Sequence, residues 1–148
     1  MKTVFDAGMR GTLLERFGRI TPERRPLWGA MDAPRMVAHL NDALRMGLGE
    51  LPTEPVGNAI LRNPLVSWLL INVLPWPKGT PTAPELLAAP PGAWDADTRV
   101  FRELLERVGA AGPRAGWPAH PIFGRLSGKR WGELVYRHVD HHLRQFGA

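Results

Sequence analysis

Cysteine is absent from this 148-residue chain, which removes disulfides, a thiolate nucleophile and cysteine-ligated zinc together. The same absence fits a reducing, cytoplasmic setting. Long apolar runs are missing as well. The most apolar stretch, residues 65–74, is broken by Ser67 and Asn72 and is too short to cross a bilayer. The opening MKTVFDAGMRG carries Lys2, Asp6 and Arg10 with no apolar block between them, unlike a signal peptide. There is no basic tract either. The formal charge is +5, from 19 Lys and Arg against 14 Asp and Glu, but the longest basic run is Arg24-Arg25. Charge spread so evenly reads as a solvated, Arg-rich surface, so neither nucleic acid nor membrane is expected as a partner. No segment alternates as a strand, and no internal repeat is present.

What remains favours helices. Apolar residues make up 44% of the chain, enough for the core of one domain spanning residues 1–148. The 15 Pro and 16 Gly fall mostly in residues 47–93 and 109–128, leaving the rest free for long regular elements. Phe5, Met9, Leu13, Phe17 and Ile20 recur at helical spacing and predict a helix over 5–20. A second helix is predicted from the cap Asp32, with Pro34 in its first turn, to about Gly47. Asn63-Pro64 predicts a short buried helix over 65–74. Trp94, Phe101, Leu104, Leu105 and Val108 mark a helix over 95–108 that Gly109 and Gly112-Pro113 should stop, with Arg107 suiting its C-terminal end. Ser127 caps a last helix running to Phe146. Residues 75–82, PWPKGTPT, cannot be regular structure and form part of a long Pro-rich connection over 75–93. The expected architecture is all-α: four long amphipathic helices in a bundle, with an additional short helix between the second and third.

The histidines stand out against this background. Three of the five, His138, His141 and His142, fall within one helical turn and a half. At about 100° per residue, His138 and His142 lie about 40° apart on one face, where two imidazoles can share an ion. His142 falls inside the apolar stripe of Trp131, Leu134, Val135 and Phe146, whereas His141 falls at its edge, as a boundary residue or a donor to the ligands. His39 lies among Met36, Ala43 and Met46 and also points to the core. A buried neutral imidazole needs a partner for each ring nitrogen, and one metal ion with acceptors behind it satisfies three at once. His120, in WPAHPIFG between helices, either fixes a turn or lines the mouth of the site.

Two blocks, LWGAMDAPRMVAHLNDAL and HPIFGRLSGKRWGELVYRHVDHHLRQFG, resemble the DinB-like superfamily of metal-binding four-helix bundles, and within it a branch of unknown function. The loop PWPKGTPTAPELL is similar to that branch too. One histidine in the second helix followed by H-x-x-x-H in the last is the family order, and here it falls on His39, His138 and His142; Arg144 stands where a small residue is frequent. The resemblance implies a divalent ion, zinc or nickel before iron or manganese, with open positions filled by water, and in many members a homodimer. Some relatives of this kind are thiol S-transferases that use a low-molecular-weight bacterial thiol, others metal-dependent hydrolases.

Three neutral imidazoles leave an ion its full charge and a free position, a catalytic rather than a structural arrangement. Such an ion lowers the pKa of a bound water or deprotonates a thiol. The leading expectation is a metal-dependent enzyme passing a small thiol, necessarily taken from solution, to a small electrophile. A hydrolase is the alternative, but it needs a general base. Asp140 lies about 200° round the helix from His138, and Asp42 about 60° from His39, near the rim. A non-catalytic metal- or ligand-binding module is the third reading. The apolar segment 65–76, with Trp68 and Trp76, either packs on the bundle or offers a surface for self-association.

Overall fold

The computed structural model describes residues 1–76 and 83–148. Among these there are five α-helices and no strand: α1 (Ala7–Phe17), α2 (Ala33–Gly47), α3 (Pro64–Asn72), α4 (Trp94–Ala111) and α5 (Gly128–Gln145). Single 3-10 turns occupy Ala59–Arg62 and Pro84–Leu87. Residues 77–82 of the expected Pro-rich loop lie outside the described residues. No helix among the described residues is long and apolar enough to cross a membrane.

The helix starts follow from short polar side chains that accept otherwise unpaired backbone N–H groups. Asp6 accepts from Met9 N at 2.8 Å, Asp32 from Arg35 N at 2.8 Å, and Ser127 from Arg130 N at 3.3 Å. Asn63 accepts from both Leu65 N and Val66 N ahead of α3. The first helix is shorter than the 5–20 periodicity suggests. Asp6 takes the cap, and the chain leaves the helix at Gly18, yet Ile20 still buries in the core. Apolar spacing therefore ran past the helix that carried it.

Gly109 does not end the fourth helix, contrary to expectation. The helix continues to Ala111 and stops at Gly112, whose φ of 69° lies in the left-handed region. Gly109 serves packing instead. A Cβ there would stand 2.5 Å from the Arg10 guanidinium, which crosses α4 at this point to reach Glu106 at 2.8 Å. With the helix extended, Arg107 is no longer in its last turn, and its guanidinium pairs with Glu50.

The core is built around α2, which packs on α4, α5 and the Pro84–Leu87 turn, while α1 packs on α4 and α5. Met36, Val37 and Leu40 of α2 meet Phe101, Leu105 and Val108 of α4 and Trp131, Val139 and Leu143 of α5 in one cluster. A smaller cluster of Ile71, Phe123 and Leu134 seats α3 on α5. Contrary to expectation, the 65–74 segment is only partly buried. Only Ser67 and Ile71 of α3 are buried, and Leu65 is 64% exposed. The segment is apolar on every side, but a helix lying on one neighbour hides one stripe only. Arg130 of α5 fixes that stripe by donating to Pro64 O at 2.9 Å and Ser67 Oγ at 3.2 Å.

Candidate metal centre

α2 and α5 bring His39, His138 and His142 to one point. The His39 and His138 Nε2 atoms are 3.0 Å apart, and those of His142 and His138 3.1 Å apart. The three ring centroids form a nearly equilateral triangle with sides of 5.0, 5.0 and 4.9 Å. Donors about 2.0–2.1 Å from one ion, at about 90–110° to each other, are about 2.9–3.4 Å apart, so these separations suit neighbouring ligands of a single ion. One donor atom from each ring lies within 4.8 Å of the others, close enough to hold a metal.

The groups behind the rings fix which nitrogen carries the proton. His39 Nδ1 faces the Leu86 carbonyl at 3.1 Å. A carbonyl only accepts, so Nδ1 is the donor and Nε2 keeps its lone pair. His142 Nδ1 faces Gln145 Oε1 at 2.9 Å, and Gln145 Nε2 donates to Trp28 O at 2.9 Å. Trp28 O requires the amide to present its NH2 there, which leaves Oε1 for the histidine and sets the His142 tautomer. Two lone pairs are thus aimed at His138 Nε2 by contacts outside the cluster.

The same burial keeps the rings uncharged. His39 is 4% and His142 8% exposed. Burial lowers the His39 pKa, with the Leu86 carbonyl and Asp42 opposing, and lowers that of His142 to about 3, with His39 adding to the effect. For His138 burial again leads, followed by the neighbouring histidines, and the pKa falls well below the ordinary value. At neutral pH the cluster is therefore a set of neutral donors, the state in which imidazole binds metal.

All five histidines of the chain line one cavity of about 640 Å³. Apart from Gln145 its other walls are largely apolar, with Trp28, Met31, Trp76, Leu87, Phe123 and Trp131 prominent. His141 stays out of the cluster. Its ring centroid lies 5.6 Å from Trp76, 6.1 Å from Trp28 and 5.3 Å from His142. His120 both holds a turn and lines the cavity. His120 and Gly124 exchange two backbone hydrogen bonds of 2.8 Å, and His120 Nδ1 accepts from Ile122 N and Phe123 N at 3.1 and 3.2 Å. Burial lowers its pKa to about 4.

No carboxylate lines this cavity among the described residues. Asp42 is buried against Arg45 at 3.2 Å, and Asp140 is held by Arg16 at 2.6 Å and Arg144 at 2.9 Å. Two contributors escaped the sequence reading. Gln145 stands three residues after His142, a spacing at which one helical side chain can meet another, so it was within reach of a pattern search. The Leu86 carbonyl carries no side-chain signal at all.

A family model described as "Protein of unknown function (DUF1569)" matches residues 18–148. No curated protein and no solved structure matches the chain significantly.

Proposed function

The chain belongs to the DUF1569 family of proteins of unknown function, and on that premise we propose that it is a metal-dependent enzyme of the DinB-like type. In this reading α1, α2, α4 and α5 form the four-helix bundle, and His39, His138 and His142 hold one divalent ion, zinc or nickel. The reaction is transfer of a low-molecular-weight thiol to a small electrophile. The observation that carries it is the cavity of about 640 Å³ against the three Nε2 atoms, walled by apolar groups and free of carboxylates among the described residues. That volume is typical of small-molecule sites.

A divalent ion in the site supplies a Lewis acid that favours the deprotonated form of a thiol. The protein's own part is to aim and to exclude. Leu86 O and Gln145 Oε1 hold two imidazoles with their lone pairs inward. Trp28, Trp76, Phe123 and Trp131 keep bulk water from the electrophile. A thiol ionises near pH 8.5 and needs little help from a base, whereas water needs much more. The lack of a nearby carboxylate among the described residues therefore favours thiol transfer over hydrolysis. In the transfer the thiol sulfur bonds to the electrophilic carbon, the leaving group departs with its bonding electron pair, and the thiol proton passes to solvent. The outer face of α3 together with the two residues that follow it, where Leu65, Val73 and Leu74 are exposed, is the surface we assign to a homodimer; light scattering on the purified protein tests it.

The enzyme reading is tested by loading the metal-free protein with Zn, Ni, Mn or Fe and offering bacterial thiols with electrophilic test substrates. Turnover that requires both metal and thiol is expected. No transfer with any combination would end the reading, and elemental analysis of the purified protein would still identify the ion.

A further inference from the structure

Trp28, Trp76 and His141 wall two cavities, the apolar one already described and a second of about 580 Å³. The second is the more polar of the two. Lys2, Glu133, Arg137, Asp140 and Arg144 line it. Asp140 and Arg144 satisfy each other at 2.9 Å, with Arg16 on the other Asp140 oxygen. Among the described residues the remaining three form no ion pair. Glu133 is only 4% exposed, and among the described residues no hydrogen bond or ion pair reaches its carboxyl. Arg137 is one helical turn further on, the usual ion-pair spacing, yet its guanidinium donates to Leu74 O and lies 5.8 Å over the Trp76 ring. The Lys2 ammonium lies 5.8 Å over the Tyr136 ring.

Among the described residues this carboxylate has no donor although two cations line the same cavity, so it is left to solvent alone. A ligand carrying both charges would pair all three. A pure anion would leave Glu133 unpaired beside it, and a pure cation would do the same to Arg137. We propose that this second cavity binds the zwitterionic head of an amino acid, with the ammonium on Glu133 and the carboxylate on Arg137 and Lys2. The cavity has room for much more than the head, and Trp76 connects it to the histidines: its ring centroid is 5.9 Å from that of His138. Resting on the thiol-transfer reading above, the amino acid is cysteine itself, serving as the low-molecular-weight thiol, and the apolar cavity is left to the electrophile.

Two measurements separate this inference from the reading it rests on. In the first, S-methyl-L-cysteine, 3-(methylthio)propionate and 2-(methylthio)ethylamine are titrated into the metal-free full chain, with Trp fluorescence as the readout. The zwitterion should bind at least tenfold more tightly than either analogue. Glu133→Gln should level it with the propionate, and Arg137→Gln with the amine. Equal binding of the three to the unaltered chain, or no binding of the zwitterion, overturns the inference without relying on a variant that folds. In the second, the Co(II)-loaded protein is titrated with L-cysteine and with 2-mercaptoethanol, following the thiolate-to-cobalt absorption. Cysteine should act at concentrations at least tenfold lower. If both thiols act alike, the amino-acid subsite falls and the thiol reading stands. If neither thiol changes the spectrum while the zwitterion binds the metal-free chain, the thiol reading falls and the subsite stands.

Discussion

The helical wall of the apolar cavity and its loop wall both present histidine, and they use it in opposite ways. On the helical wall His39 and His142 give their Nδ1 protons to Leu86 O and Gln145 Oε1, so their Nε2 lone pairs face the centre. On the loop wall the His120 Nδ1 accepts from two backbone N–H groups, so its proton must sit on Nε2 and the ring has a donor to offer, not a lone pair. One residue type in one cavity thus becomes lone-pair donor or turn-lock according to what stands behind the ring. The partner of the second nitrogen, more than burial, separates the two roles, since burial lowers the pKa on both walls.

The contrast can be broken most directly on the helical wall. Removing any one of His39, His138 or His142 by substitution with Ala should weaken metal binding by more than about 100-fold, since even the groups behind such ligands typically carry about 10–100-fold. Calorimetric titration of zinc into the metal-free variants would measure it. The next largest effect should come from Gln145→Ala, which leaves all three rings in place but frees the His142 tautomer. A loss of about 10–100-fold in zinc affinity is expected, and an unchanged affinity would show that the tautomer argument carries no weight.

The loop wall should respond in stability rather than in metal affinity. His120 has a pKa of about 4 in the folded chain and about 6.5 when unfolded. As pH falls below about 6.5 the unfolded chain takes up a proton that the folded chain refuses, so stability drops until about pH 4. The contribution is on the order of 3 kcal/mol, and the buried metal-site histidines add to the fall in the metal-free protein. Thermal melts across that range should show a steep loss, made shallower by His120→Asn, with zinc affinity at neutral pH unaltered. The smallest effect should belong to His141→Ala, with zinc affinity within about twofold of the unaltered chain. A loss equal to that of His142→Ala would place the ligand on the wrong residue of the pair.

Much of this was written in local chemistry. Asp32, Asn63 and Ser127 precede helical stripes, and each accepts the backbone N–H groups that a cap should. The choice of His142 over His141 followed from about 100° per residue and the position of the apolar stripe. Features that depend on distant chain were not legible. Gly109 looks like a stop signal because nothing in its neighbourhood says that Arg10 will lie across it. The exposure of Leu65 depends on how many neighbours α3 finds, and an apolar run does not specify that number. The resemblance that supplied His39 named a ligand order. It held no information on the Leu86 carbonyl, which is a matter of where the backbone passes.

That carbonyl has a thermodynamic consequence. Leu86 lies 47 positions beyond His39 in the chain, in a 3-10 turn that packs on α2. Orientation of one imidazole is therefore linked to the docking of a segment far along the chain, and linkage is reciprocal. An ion bound at concentrations well above its Kd stabilises whatever arrangement holds His39 in place, by about 2.7 kcal/mol at 100 times Kd. The Pro84–Leu87 turn should accordingly become slower to exchange its amide hydrogens and harder to cleave with protease when metal is present, although no metal ligand lies within it.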